Sequence, residues 1–145
     1  MKKSFIGLII ISVMLLCGCS DLSGDDVPEG YVNKAEHFQE EGSQDYTDYC
    51  KYEYDSATYF ESADEYNKVT AAEIENIKAY FDNFSSWMEI ENRLEEYDFD
   101  DTCIDERDYV RIVNKEEEGY DKFDYYSICY FDKESLTLYY IHNSI

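Results

Sequence analysis

The sequence predicts an α+β fold, with one main helix over about residues 71–88 packed on an antiparallel sheet of three to four strands. Three observations carry that expectation. A capping signature at Thr70 opens an apolar stripe at helical spacing that runs to Met88. Three stretches of two-residue alternation follow between Tyr109 and His142. The turns between those stretches are too short for anything but antiparallel neighbours.

The first structured element is expected near Tyr46, where Cys50, Tyr52 and Tyr54 alternate with Lys51, Glu53 and Asp55 as in a short strand. Thr70 followed three residues later by Glu73 is a capping box, with Val69 and Ile74 placed as a hydrophobic staple, so a helix should start at Ala71. Ile74, Ile77, Phe81, Phe84 and Met88 form its buried stripe, and Glu73, Glu75, Lys78, Asp82 and Glu89 its wet side. After Met88 the apolar positions slip onto Ile90, Leu94 and Tyr97. The slip predicts a kink at Ser85-Ser86 or a second short helix reaching residue 97, with Ser86 and Glu89 as a further capping pair. Strands are then expected over 109–113, 123–131 and 136–142, with polar turns at 114–119 and 132–135. The last two strands carry aromatic residues on both faces. The face away from the helix is therefore either covered by residues 46–68 or left as a binding surface.

The first twenty residues carry a different message. Lys2 and Lys3 precede an apolar run from Phe5 to Leu16 interrupted only by Gly7 and Ser12. That run is shorter than the ~20 residues a spanning helix needs, as in a secretion signal. The stretch Leu16-Cys17-Gly18-Cys19 then resembles the lipobox of bacterial lipoprotein precursors. The resemblance implies cleavage after Gly18 and lipidation of Cys19, with acyl chains such as palmitate holding the chain to the outer face of the cell membrane. Cys17 would leave with the signal, because cleavage before it would put Leu16 where a small residue is needed. An ordinary secretory peptide cut nearby is the alternative.

On this reading the chain divides into a signal peptide (1–18), a lipidated, flexible acidic tether (19–45) and a small α+β domain (46–145). The whole resembles small uncharacterised lipoproteins of low-GC Gram-positive bacteria, and the ending Leu138-Tyr139-Tyr140-Ile141-His142-Asn143 has the look of a signature for such a group. The tether holds Pro28, the only proline, and His37 is expected to be exposed there. As a flexible coil it would place the domain ~25 to 30 Å from the bilayer on average.

Charge limits the partners. Loss of Lys2 and Lys3 leaves 10 of the 12 basic residues against 34 acidic ones, 10 minus 34, or -24. Such a chain has no basic patch with which to bind nucleic acid or an anionic surface, so the lipid anchor would have to hold it alone. Cations, basic peptides, neutral glycans or another envelope protein are the partners compatible with it.

Three cysteines remain after processing: Cys50, Cys103 and Cys129. They permit one disulfide, Cys50 with Cys129 on neighbouring strands being one candidate, and their spacing excludes a zinc site of paired Cys-x-x-Cys type. A catalytic Cys with His142 as its base has no local support. The densest acidic cluster is Asp98, Asp100, Asp101, Asp105, Glu106 and Asp108. Read as an EF-hand loop from Asp98 it fails at Cys103, where Gly makes the turn, and at Tyr109, where a bidentate Glu belongs. Asp98, Asp100, Asp101 and Asp105 remain weak candidate ligands for a Ca²⁺ site of another kind, and no other cofactor is expected.

Tyrosine is abundant, at 16 residues. Amphipathic rings are enriched at recognition surfaces, which makes Tyr52, Tyr54, Tyr125 and Tyr139 candidates for a binding face. No nucleotide-binding loop, nucleophile elbow or metalloprotease helix occurs in the sequence. The expectation is a membrane-anchored, non-enzymatic binding domain at the envelope. The alternative is a cation-dependent accessory protein or a small hydrolase working through the carboxylates of residues 98–108.

Overall fold

A computed structural model describes residues 27–39, 46–114, 119 and 121–144. The lipobox and Cys19 lie outside them, as does the side chain of His37. In chain order the elements are β1 (Asn33–Gln39), β2 (Tyr46–Glu53), α1 (Thr58–Ser62), β3 (Asn67–Lys68), α2 (Ile74–Ile90), 3-10 turns at Leu94–Glu96 and Asp101–Cys103, β4 (Tyr109–Asn114), β5 (Tyr125–Asp132) and β6 (Thr137–Ser144). The class is mixed helix and sheet with one main helix. The sheet, however, has six strands in the order β1-β2-β6-β5-β4-β3, rather than three or four. All its pairings are antiparallel.

The two strands beyond expectation are the edges. Strand β1 comes from the stretch assigned to the tether, and Val27 is buried as well, so folded structure reaches back well before Tyr46. A register shift between Glu36 and Phe38 marks a bulge in β1. Bulging breaks the two-residue alternation by which a strand is recognised. Strand β3 has only two residues, both exposed. The meander of β4, β5 and β6 forms as expected, and β2 joins it by pairing with β6 over its whole length, from Tyr46 opposite Ser144 to Glu53 opposite Thr137.

Helix α2 begins at Ile74, three residues later than expected. Half of the capping box forms: the Glu73 carboxylate accepts from the Thr70 backbone N–H at 3.0 Å and from the Thr70 hydroxyl at 2.6 Å. The Glu73 N–H instead donates to the Thr70 carbonyl at 2.9 Å, closing a turn before the helix. There is no break at Ser85-Ser86. The Ser86 hydroxyl donates to the Asp82 carbonyl at 2.9 Å, one turn back, and so satisfies itself inside the helix.

The phase slip comes from the helix end. Asn92 takes a left-handed conformation at φ 56°, with Arg93 N–H on Met88 O at 2.8 Å and Asn92 N–H on Glu89 O at 3.1 Å. That pair of bonds is a Schellman motif. The short 3-10 turn at Leu94–Glu96 follows it and carries the chain to Tyr97.

Ile77, Tyr80, Phe81, Phe84 and Met88 of α2 pack on one face of the sheet, against Tyr49, Val110, Tyr126, Ile128, Tyr130 and Ile141. Each fully buried side chain of this size contributes ~1.5 to 3 kcal/mol. The opposite face is also built into a core, in which Cys50, Tyr52, Cys129, Phe131, Leu138 and Tyr140 meet Val27, Tyr54, Phe60 and Tyr66. Phe60 of α1 stacks on Phe131 at 3.8 Å between centroids.

Cys50 and Cys129 both stand in register with Tyr140, one on each side of β6. They are two strand spacings apart, ~10 Å, beyond the ~7 Å reach of a disulfide. None of Cys50, Cys103 and Cys129 is in a disulfide. No helix among the described residues is long and apolar enough to cross a membrane.

Candidate binding site

The acidic cluster folds with each carboxylate turned to a different local task. Asp98 accepts from the Tyr49 hydroxyl at 2.6 Å and pairs with Lys51. Asp100 accepts from the Thr102 N–H at 3.0 Å, and Thr102 holds its carboxyl below the usual carboxylate range. Asp101 lies 3.4 Å from the Lys78 ammonium. Asp105 is bound by the Arg107 guanidinium, which lowers its pKa, and Glu106 accepts from the Ala71 N–H at 3.1 Å. Asp108 is buried. It accepts from the Asp105 and Lys133 N–H groups at 2.9 and 3.0 Å and from the Tyr130 hydroxyl. Burial raises its pKa, while those three bonds oppose the rise.

The candidate ligands Asp98, Asp100, Asp101 and Asp105 are thus not gathered around one point. Among the described residues no group of three or more His, Cys, Asp or Glu side chains is placed to hold a metal ion.

The four candidate tyrosines do not form one surface either. Tyr52 and Tyr54 are buried, at 2 % and 7 % exposure, beneath the layer that contains α1, and the Tyr54 hydroxyl donates to Pro28 O at 2.7 Å. Tyr125 is half-buried on the same face, its ring edge-on to His142 at 5.2 Å. Tyr139 is half-buried on the helix face, 4.9 Å from Phe99. Strand alternation puts Tyr139 opposite to Tyr52 and Tyr54, and the covering layer removes the latter two from solvent.

Among the described residues, two cavities flank the segment 97–107. A cavity of about 240 Å³ is lined by Phe81, Asp82 and Ser85 of α2 and by Tyr97, Phe99, Asp100 and Asp101. Phe81 and Phe99 stack at 3.8 Å, and Tyr97 lies tilted 6.4 Å from Phe99. The Tyr97 pKa is raised, first by burial, then by the fields of neighbours that include Asp82 and Asp101. These two carboxylates therefore act from the two walls on one ring. The second cavity, about 360 Å³, is lined by Thr102, Cys103, Asp105, Arg107, Asp132, Glu134 and Ser135. Burial, then the Asp132 carboxylate, pushes the Cys103 thiol up to about 12, so it carries almost no thiolate near neutral pH. Asp100 and Asp101 reach the first cavity and Asp105 the second. Asp98 lines neither.

One polar constellation escaped the sequence reading. Asp48, His142 and Ser127 stand side by side on β2, β6 and β5, because His142 is in register with both of the others. Ser127 Oγ is 2.8 Å from His142 Nδ1. A hydroxyl beside an imidazole and a carboxylate has the composition of a nucleophile with its base. Yet Ser127 is only 5 % exposed, and β5 and β6 are interior strands whose N–H groups belong to the ladders on either side. The row therefore lacks an accessible attacking atom and free donors for an oxyanion. Burial lowers the His142 pKa to about 4, so the ring is neutral near pH 7.

Compared with protein-family models, curated proteins and solved structures, the chain finds no match.

Proposed function

We propose that the chain is a lipoprotein held at the outer face of the cell membrane by an acylated Cys19, and that its folded part is a non-enzymatic binding domain for a partner in the envelope. The anchor rests on the run from Lys2 to Cys19 and on the net charge of the processed chain, 10 minus 34 or -24, which leaves no electrostatic hold on an anionic bilayer.

The observation that carries the binding reading is the position of the open space. Among the described residues two cavities border the segment 97–107, while Cys50, Cys129, the serine–histidine pair and both sheet faces are built into the interior. The binding surface therefore moves from the tyrosines of the sheet to the side of the domain where this segment meets α2 and the β5–β6 turn.

The anchor is tested by labelling with a palmitate analogue. The wild-type chain should carry label and sediment with membranes, and Cys19→Ala should lose the label. A labelled, membrane-bound Cys19→Ala chain would overturn the assignment. The binding reading is tested by crosslinking the mature chain in envelope preparations through a photoreactive residue at position 85 or 134. A discrete partner should be captured there and not from position 64. Equal capture from all three would overturn it.

A further inference from the structure

We infer that the cavity between α2 and residues 97–101 takes a single basic side chain, a lysine or arginine, of a polypeptide partner. This rests on the binding reading and names the chemistry of its ligand.

Size comes first. At about 240 Å³ the cavity falls below the ~300 to 1,000 Å³ of sites for drug-sized molecules, and suits one long side chain. The wall chemistry matches such a group along its length. The part-exposed rings of Phe99 and Tyr97, backed by the buried Phe81, supply apolar surface for an aliphatic stem, as lysine and arginine stems prefer. Asp82 on the helix side, with Asp100 and Asp101 on the loop side, supplies negative charge for its head. These carboxylates stand at the open side of the cavity, where a cationic head would meet them while it keeps contact with solvent.

The molecule offers its own demonstration. Lys78, one turn before Asp82, brings its ammonium to 3.4 Å from Asp101. An internal cation therefore already pairs with one of the carboxylates that line the cavity. A partner's basic side chain, guided by the charge of -22 carried by the chain, would displace it. Anions are disfavoured by the same walls.

The test uses the mature chain and a labelled oligolysine peptide, with the Nε-acetylated peptide as the control that keeps the stem and removes the charge. Binding is followed by fluorescence anisotropy at low and high salt, and thermal melts check that each variant folds. The lysine peptide should bind and the acetylated one should not. The double variant Asp82→Asn, Asp101→Asn should weaken binding about tenfold or more, as expected when a charged hydrogen-bonding group loses its partners. Lys78→Gln should tighten it by up to ~fivefold, by removing the internal competitor. Asp64→Asn, in the turn after α1, should change nothing.

Equal weakening by Asp64→Asn would reduce the effect to general surface charge and overturn the inference. Loss of binding in Glu134→Gln but not in the Asp82, Asp101 variant would place the ligand in the second cavity, leaving the binding reading intact and this site refuted. A wild-type chain that ignores the peptide also overturns the inference, whereas the crosslinking capture stands or falls independently.

Discussion

Ser127 Oγ and His142 Nδ1 are held 2.8 Å apart across the β5–β6 ladder, inside the sheet rather than at its surface. The histidine is there in its neutral form, because burial lowers its pKa from 6.5 to about 4. Between those values the unfolded chain binds the proton and the folded chain does not. Stability from this group is therefore complete above about pH 6.5 and declines as the pH falls towards 4. Urea unfolding over this range should show a wild-type loss on the order of 3 kcal/mol relative to His142→Gln. Parallel profiles for the two proteins would show that His142 does not titrate as described.

Asp108 accepts from three donors, the Asp105 N–H of its own segment, the Tyr130 hydroxyl of β5 and the Lys133 N–H of the β5–β6 turn. Asp108→Ala leaves those buried donors without their acceptor and should cost ~3 kcal/mol or more. Tyr130→Phe should cost less, ~1 to 2 kcal/mol, since the carboxylate keeps its two backbone partners. Because the two residues share one network, a double-mutant cycle should be non-additive. Strict additivity would deny the coupling.

Asn92 ends α2 in the left-handed region at φ 56°. A Cβ without a compensating polar group is disfavoured there, so Asn92→Ala should destabilise by about 1 kcal/mol, while Asn92→Gly should be neutral or slightly stabilising. Equal stabilities for the Ala and Gly variants in urea would argue against the Schellman end.

Cys50, Cys103 and Cys129 are thiols, the first and last buried and Cys103 half-buried. A thiol reagent at neutral pH should modify Cys103 slowly, Cys50 and Cys129 only on unfolding, and denaturant should release all three without reductant. Fewer than three reactive thiols from these positions in denaturant would reveal a disulfide and contradict the thiol state of Cys50, Cys103 and Cys129.

What could be read in advance follows a physical divide. The stripe from Ile74 to Met88 and the alternation in β5 and β6 are local periodicities, and each places its own residues without reference to the rest of the chain. Strand β1 hid behind its bulge and polar composition, and β3 is too short to have a period. The acidic cluster was visible as a cluster, but composition does not say which way each carboxylate turns. Asp100 turns to Thr102 and Asp105 to Arg107, and neither turns to a shared centre. The cavity was invisible for a related reason. It exists because Phe99 comes back to stack on Phe81, a contact made only after the chain has turned at Asn92. The Ser127–His142 pair depends on the register of the β5–β6 hairpin, whose turn holds Leu136 at φ 56°.

Burial of Val27 bears on how the domain would stand on a bilayer. With Cys19 acylated as proposed, only residues 20–26 separate the lipid from the fold. Seven residues span at most ~25 Å. That upper bound is about three screening lengths, given a Debye length of ~8 Å. An acidic body on so short a leash is pushed outward by anionic headgroups while its root cannot follow. Repulsion and tether together would orient it, with the Val27 end towards the membrane, so that the lipid restricts which sides of the domain face the surroundings.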